Sequence, residues 1–231
     1  ASNGESRLLR YADPAGKECY IRTAQFVIFL AIRQLWPEAT AKMTCTLGSS
    51  VYISVAGAKD FSASTLKARV SELVGQDIPL IRRRVKLQKA IDRFREEGQT
   101  DKARLLSWRT VDYFDEYAYG DFADYYYGEM MPSTGYLTVW DILPADGGFV
   151  FVYPDDGNPE ICAKVPPMPN FFSVFSEGER WGELMECQTV ADLNDLTNSG
   201  RIRELIRVNE ALHEKRFSQV ADQVCQRGAE A

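Results

Sequence analysis

Asp124-Tyr-Tyr-Tyr-Gly-Glu-Met-Met-Pro-Ser-Thr-Gly-Tyr136 is the stretch on which the reading of this chain turns. Three consecutive tyrosines run into a glycine, two methionines and a proline. The residues that follow alternate as a strand would, from Gly135 to Ile142. The segment reads as a tight turn lining an aromatic-walled pocket or core. If it is extended, alternation sends Tyr125 and Tyr127 to one side and Tyr126 to the other. Two readings follow: core packing with anchored hydroxyls, or a stacking wall for a base or another flat ligand. Gly128 and Pro132 fix the turn in both.

On the N-terminal side, residues 1–20 read as a polar tail, with Arg7 to Tyr11 as a short strand and Asp13-Pro14-Ala15-Gly16 as a turn. A helix is predicted from Thr23 to Trp36, stopped by Pro37. Lys42 to Leu47 and Ser50 to Val55, joined through Gly48-Ser49, read as a β-hairpin. Ser62 or Ser64 caps a second helix whose Leu66, Val70, Leu73 and Val74 share a face and which ends at Gly75. Ile78 to Leu87 alternates as a strand carrying Arg82-Arg83-Arg84. Lys89 to Glu96 and Asp101 to Leu106 read as short helices separated by Gly98. Further strands are predicted at Val111 to Tyr119 and Phe149 to Tyr153, with turns at Pro144 to Gly148 and Pro154 to Gly157. Val165-Pro-Pro-Met-Pro169 reads as a linker, followed by helices over Phe171 to Met185, Val190 to Leu196 and Arg201 to Gln226. The expected class is α+β, an antiparallel-rich sheet with packed helices and a helical C-terminal segment. The expected division is a tail over 1–20, a domain over 21–160 and a helical connector over 161–231.

The 231 residues are 45% hydrophobic and carry a formal charge of −6, with a pI near 5.0. No global basic field points to nucleic acid. Arg82, Arg83 and Arg84 therefore read as a solvated strand face or, alternatively, as a local nucleic-acid-binding patch. The five cysteines are scattered and form no C-x-x-C, which excludes a disulfide framework and fits a reducing cytoplasm. The longest apolar run, Phe26 to Ile32, is too short to span a membrane, and no signal peptide is read before it. A soluble cytoplasmic protein with no membrane partner is expected. Walker, dinucleotide-binding and nucleophile-elbow motifs are missing. The one histidine, His213, reads as helix packing, and a zinc site of the usual composition cannot be assembled around it. Asp121, Asp124, Glu129 and Asp141 read as solvated acids. No catalytic residue and no metal ligand is assigned.

Two separated stretches carry a resemblance. Arg22-Thr-Ala-Gln-Phe26 through Leu35-Trp-Pro37 resembles the helix of the second additional, editing-type domain of threonyl-tRNA synthetases, where the helix bears His-x-x-x-His. Asp124-Tyr-Tyr-Tyr-Gly-Glu-Met-Met-Pro132 falls where that family has Asp-x-Cys-x-Gly-Pro-His-x-Pro. The order of elements between them agrees, so the likeness covers about residues 20–154. In this likeness Arg22 and Phe26 replace the helix histidines, Tyr126 the cysteine and Met130 the last histidine, while Asp124, Gly128 and Pro132 remain. The resemblance implies a kept turn and a lost metal site. It also implies a candidate ligand cleft at Arg22, Phe26, Asp124, Tyr126 and Met130. Arg22 would meet an anionic or carbonyl group, Asp124 a hydroxyl or amine, and Tyr126 a stacked ring.

A second likeness covers nearly the whole chain. Tyr127-Gly-Glu-Met-Met-Pro-Ser-Thr-Gly-Tyr-Leu137, Trp181-Gly, Asp192-Leu-Asn-Asp-Leu196, Ser199-Gly and Ile206-Arg-Val-Asn-Glu-Ala-Leu-His-Glu-Lys215 are similar to segments of uridine kinase-like bacterial nucleoside kinases, in the same order. That family joins a ubiquitin-like segment, this ligand-free synthetase-like domain, a helical connector and a P-loop kinase domain. The resemblance implies a non-catalytic accessory region with a phosphate loop beyond Ala231. It makes the protein's own kinase domain and a nucleoside-like small molecule the expected partners; a separate reading is a structural dimerisation or coupling domain that meets a second copy of the chain through the last helix. ATP and Mg²⁺ would serve only that further domain, and this region would hold no cofactor. The alternative is an RNA- or tRNA-binding module, or a stand-alone degenerate editing-type domain.

Overall fold

The computed structural model describes residues 8–166, 178 and 180–229. Its longest buried element is α1, Pro14–Leu35. Proline at the first helical position loses no bond, because that amide has no partner inside a helix. Asp13 does not cap the helix. Its carboxylate instead accepts the Arg10 amide at 2.9 Å. Gly16 is needed, since a Cβ there would come within 2.0 Å of the Arg10 carbonyl oxygen. The helix thus begins nine residues before the expected Thr23, and residues 14–20 are helix rather than tail. Tyr20, Ala24, Phe26, Val27, Ile28, Leu30, Ala31 and Ile32 are all buried, the pattern of a helix enclosed on most of its circumference.

Two compact units make up the chain: residues up to Val85 with Tyr113–Met168, and Lys86–Asp112 with the residues from Pro169 onward. The first holds a four-stranded antiparallel sheet in the order β1-β2-β7-β6. Its strands are β1 (Thr40–Thr46), β2 (Ser50–Ala56), β6 (Asp141–Ala145) and β7 (Gly148–Val152). The register slips between Met43 and Cys45, where β1 bulges against β2. Gly148 lets β7 approach β2, for a Cβ there would lie 2.0 Å from the Ile53 carbonyl oxygen. Helix α2 (Ala63–Gly75) starts at Ser62, whose hydroxyl accepts the Thr65 amide, and buries Leu66, Val70 and Leu73. Val51, Ile53, Phe149 and Phe151 from the sheet join α1 and α2 in one core. A second, three-stranded sheet has the order β3-β4-β5, built from Arg82–Lys86, Tyr113–Tyr119 and Phe122–Asp124.

The α+β class, the antiparallel pairing, the first hairpin and the C-terminal helix are as expected. Three strand assignments are corrected. Of the short strand expected from Arg7 to Tyr11, residues 8–11 are not strand. Of Ile78 to Leu87 only Arg82–Lys86 is strand. Ile78 and Leu80 instead bond to the loop beyond Tyr126, through Leu80 N–H to the Pro132 carbonyl and Thr134 N–H to the Ile78 carbonyl. Of Gly135 to Ile142 only the last two residues are strand, and Thr134–Tyr136 is a turn of 3-10 helix. The cause is local polar bonding that competes with the ladder. The buried Thr134 hydroxyl donates to the Leu73 carbonyl at 2.6 Å and accepts the Ile78 amide at 2.9 Å. Asp77 accepts the Ser133 hydroxyl and the Gly135 amide. Strand β5 was not expected at all.

The second unit contains α3 (Leu87–Glu96) and α4 (Thr100–Ser107), turned at Gly98, whose φ of +72° favours glycine. Ala90, Ile91, Phe94, Ala103 and Leu106 are buried there. These helices lie inside the expected 21–160 domain in sequence, but cluster with the C-terminal helices α5 (Val190–Asn198) and α6 (Ile202–Ala229). Arg104 binds Asp192 at 2.9 Å and Asp195 at 2.5 Å. Thr189 and Asp192 form a reciprocal capping box at the start of α5. Most of α6 is exposed, including Ile206, Phe217, Val220 and Val224. The expected linker at 165–169 and helix over 171–185 fall largely outside the described residues, of which 180–184 are helical.

Candidate functional site

One turn of α1 faces the loop that follows β5. Arg22 and Phe26, four apart, share a helix face. The Arg22 Nε donates to the Glu129 carbonyl at 2.9 Å, and its Nη1 meets Glu18 at 3.2 Å. Its guanidinium lies so close over Gly128 that a Cβ there would be 2.9 Å from Arg22 Cζ, and Gly128 has φ +123°. Glycine at 128 therefore answers both a conformational and a steric demand. Thr23, between them, accepts the Met131 amide at 2.8 Å and donates to the Cys19 carbonyl at 2.8 Å. Phe26 is fully buried, with its ring 6.3 Å from that of Tyr126 and 5.2 Å from that of Phe122. Met130 is buried in the same core. All four replacements at the expected metal position thus lie along one seam.

The loop is also tied from the sheet side. Tyr117 Oη accepts the Met130 amide and donates to Glu129 Oε2, both at 3.1 Å. Arg82 reaches Glu129 Oε1 at 2.5 Å. Glu129, read as a solvated acid, joins the loop to β3 and β4. Asp124 is buried rather than solvated and accepts the Tyr125 amide at 2.8 Å. Strand β5 ends at Asp124, yet the rings still divide as alternation would send them, Tyr125 against Tyr127 and Tyr126 against Phe26. Tyr127 is the exposed ring of the three, at 72%, and sits edge-on to Tyr125 at 5.6 Å. Tyr126 sits edge-on to Phe26, with its hydroxyl buried and without a hydrogen-bond partner among the described residues. Burial, then the nearby Asp124 charge, pushes its phenol well above the usual range. The Tyr153 hydroxyl is buried too; burial raises its phenol, and the Gln25 side chain beside it pulls the other way.

The side chains at this seam do not fit a zinc ion. A guanidinium offers only donors and a positive charge, a phenyl ring offers no lone pair, and a thioether suits softer metals. Among the described residues no three His, Cys, Asp or Glu side chains gather as a metal set.

The arginine triplet lies on β3 and each member meets a carboxylate. Arg82 binds Asp115 at 2.7 Å as well as Glu129. Arg83 binds the buried Glu116 at 2.7 Å. Arg84 binds Asp115 at 2.9 Å and lies 4.0 Å over the Tyr113 ring. Bonds from Arg84 and Arg82 hold the Asp115 carboxyl at about 2. His213 belongs to the second unit, with its ring 6.4 Å from both Trp181 and Phe217. A surface groove of about 600 Å³ runs between α1 and α2 along Gln34, Leu35, Thr65 and Arg69. Its one guanidinium, Arg69, already bonds Gln34 and Glu72.

The chain is similar to threonine–tRNA ligases. No family model matches it. It is similar to the threonine–tRNA ligase of Halorhodospira halophila, 26% identical over 202 residues, covering 86% of this chain and 30% of that protein. It is likewise similar to the ligases of Paraburkholderia xenovorans, 28% identical over 59% of this chain and 22% of the relative, and Carboxydothermus hydrogenoformans, 26% identical over 64% and 24%. The chain therefore carries a threonyl-tRNA synthetase-like, editing-domain-like region, and spans less than a third of the length of these relatives. A match over 86% of the chain cannot be contained in the first unit alone. No described helix is long and apolar enough to cross a membrane.

Proposed function

We propose that the first unit is an editing-type domain of the threonyl-tRNA synthetase kind that has given up metal-dependent hydrolysis and works by binding. The observation that carries this reading is the seam itself. Helix α1 and the loop 124–131 are held by Arg22, Thr23, Tyr117 and Glu129, while the positions of the metal ligands bear a guanidinium, a phenyl ring, a phenol and a thioether. The ligand class is the aminoacyl end of tRNA or a nucleoside-like fragment of it. The test is deacylation of mischarged Ser-tRNA with added zinc, together with titration by uridine and by tRNA. Deacylation at the uncatalysed rate and saturable binding are expected. Zinc-dependent deacylation lost on Asp124→Asn would overturn the proposal.

The accessory region of a nucleoside kinase is a second reading, which rests on the resemblance of the segments from Tyr127 to Lys215 alone. ATP and Mg²⁺ then belong to a further domain, which becomes the partner of this region. Reading the native gene past the codon for Ala231 tests it: a strand followed by G-x-x-x-x-G-K-[ST] supports it, and a stop codon removes it. RNA binding through Arg82, Arg83 and Arg84 has less support, because their charges are matched by Asp115, Glu116 and Glu129.

A further inference from the structure

Helix α6 is long but barely packed. Among its described side chains only Ile202, Leu205 and Leu212 are half-buried, and every residue from His213 to Gly228 is exposed. A helix in water draws most of its stability from packing an amphipathic face. Such a face is present and uncovered: Ile206, Phe217, Val220 and Val224 are exposed, Phe217 at 74% and Val224 at 64%. Ile206, His213, Val220 and Arg227 recur at every seventh position, with Glu210, Phe217 and Val224 recurring between them. The combined steps of four and three are the spacing of a coiled-coil seam. Trp181 borders the seam at His213, with 6.4 Å between ring centroids. Glu210 and Arg227, which belong to the same seam, have no ion-pair partner among the described residues.

We infer that α6 is a self-association helix, which pairs antiparallel with α6 of a second copy of this chain. Two-fold pairing makes every contact occur twice. Setting Phe217 against the partner's Val220 fixes the rest of the register. His213 then meets the partner's Val224, and Glu210 meets the partner's Arg227. The apolar residues thus share the centre, and the two unmatched charges close each end on an opposite charge. Parallel pairing would set Glu210 against Glu210 and Arg227 against Arg227, like charges within the seam. The far side of the helix mixes Glu204 and Asp222 with Lys215, unlike the basic face of a helix that lies on a membrane. This role goes beyond the ligand binding proposed above and does not depend on it.

The test is sedimentation equilibrium of the 231-residue chain, with variants on the exposed seam. A single helix pair is a small interface, so a reversible dimer should form over about 10–100 µM. Phe217→Glu should weaken it at least about tenfold and leave the melting midpoint of the dilute chain unchanged, because the ring is already in solvent. Glu210→Arg and Arg227→Glu should each weaken the dimer, and the double variant should regain it. A strict monomer well above that concentration range overturns the inference, as does a dimer indifferent to Phe217→Glu. Single charge variants that weaken the dimer without rescue in the double variant overturn the antiparallel register. A monomer that instead floats with phosphatidylglycerol vesicles, and stops doing so on Phe217→Glu, overturns the inference in favour of a membrane surface as the occupant.

Discussion

The arginine ladder on β3 and the two buried tyrosine hydroxyls, of Tyr126 and Tyr153, invert what their composition suggests. Three consecutive arginines advertise chemistry, yet every one is spent on a carboxylate of the neighbouring strand or loop. Tyr126 and Tyr153 look like ordinary core aromatics, yet theirs are the hydroxyls left over. Charge in a sequence draws attention, but a matched charge on a half-solvated sheet is structural. A neutral group without a partner in a buried place is the rarer observation, and says more.

The comparison can be broken most violently at Phe26. Its ring is fully buried where α1 meets Tyr126 and Phe122. Phe26→Ala should cost about 3–5 kcal/mol in urea unfolding. A loss under about 1 kcal/mol would mean that the seam is loosely packed and the tyrosine hydroxyls easily hydrated. Next comes Thr23→Val, which keeps the shape but strands the Met131 amide. A cost of about 1–3 kcal/mol is expected, and tryptic cleavage at Arg22 should speed up as the loop loosens.

The ladder is sharpened by acid. Asp115 has its folded pKa lowered from 3.8 to about 2. A depressed carboxylate stabilises the fold at pH above its unfolded value and loses that contribution as pH falls through the folded one. Urea midpoints should therefore drop between about pH 4 and pH 2, and Asp115→Asn should flatten that acid limb while leaving uridine binding unchanged. Smallest of all, Tyr127→Ala should shift stability by no more than about 0.5 kcal/mol, since its ring is mostly in solvent. A clear loss of tRNA or nucleoside binding in that variant would move the stacking role from Tyr126 to Tyr127.

Much of the fold was legible because it is local. The spacing of Leu66, Val70 and Leu73 announced α2, and Gly48-Ser49 between alternating runs announced the first hairpin. What misled was chemistry with two local meanings. Asp13-Pro14-Ala15-Gly16 reads as a turn, yet proline at a first helical position is equally good grammar for a helix start. Other features could not be read because they join distant residues. Thr134 abandons its strand for a carbonyl at Leu73, and Arg104 finds Asp192 and Asp195 nearly ninety positions on. At the site, the i, i+4 pair Arg22 and Phe26 was visible in the sequence together with the loop they face. Neither the bridging of Glu129 to Tyr117 nor the hydroxyl of Tyr153 left any trace there.

The packing of Arg22 over Gly128 has one more consequence: it resists the installation of a metal set at this seam. Tyr126→Cys alone would place a thiol beside a phenyl ring and surrender the aromatic edge contact with Phe26. Arg22→His alone would give up the Glu129 carbonyl and the cover over the glycine. Each single step toward a metal set costs packing before any metal can repay it, and repayment begins only with the full set in place. The seam is thus a barrier to sequence change in one direction, closed to a metal set that would have to be assembled one residue at a time.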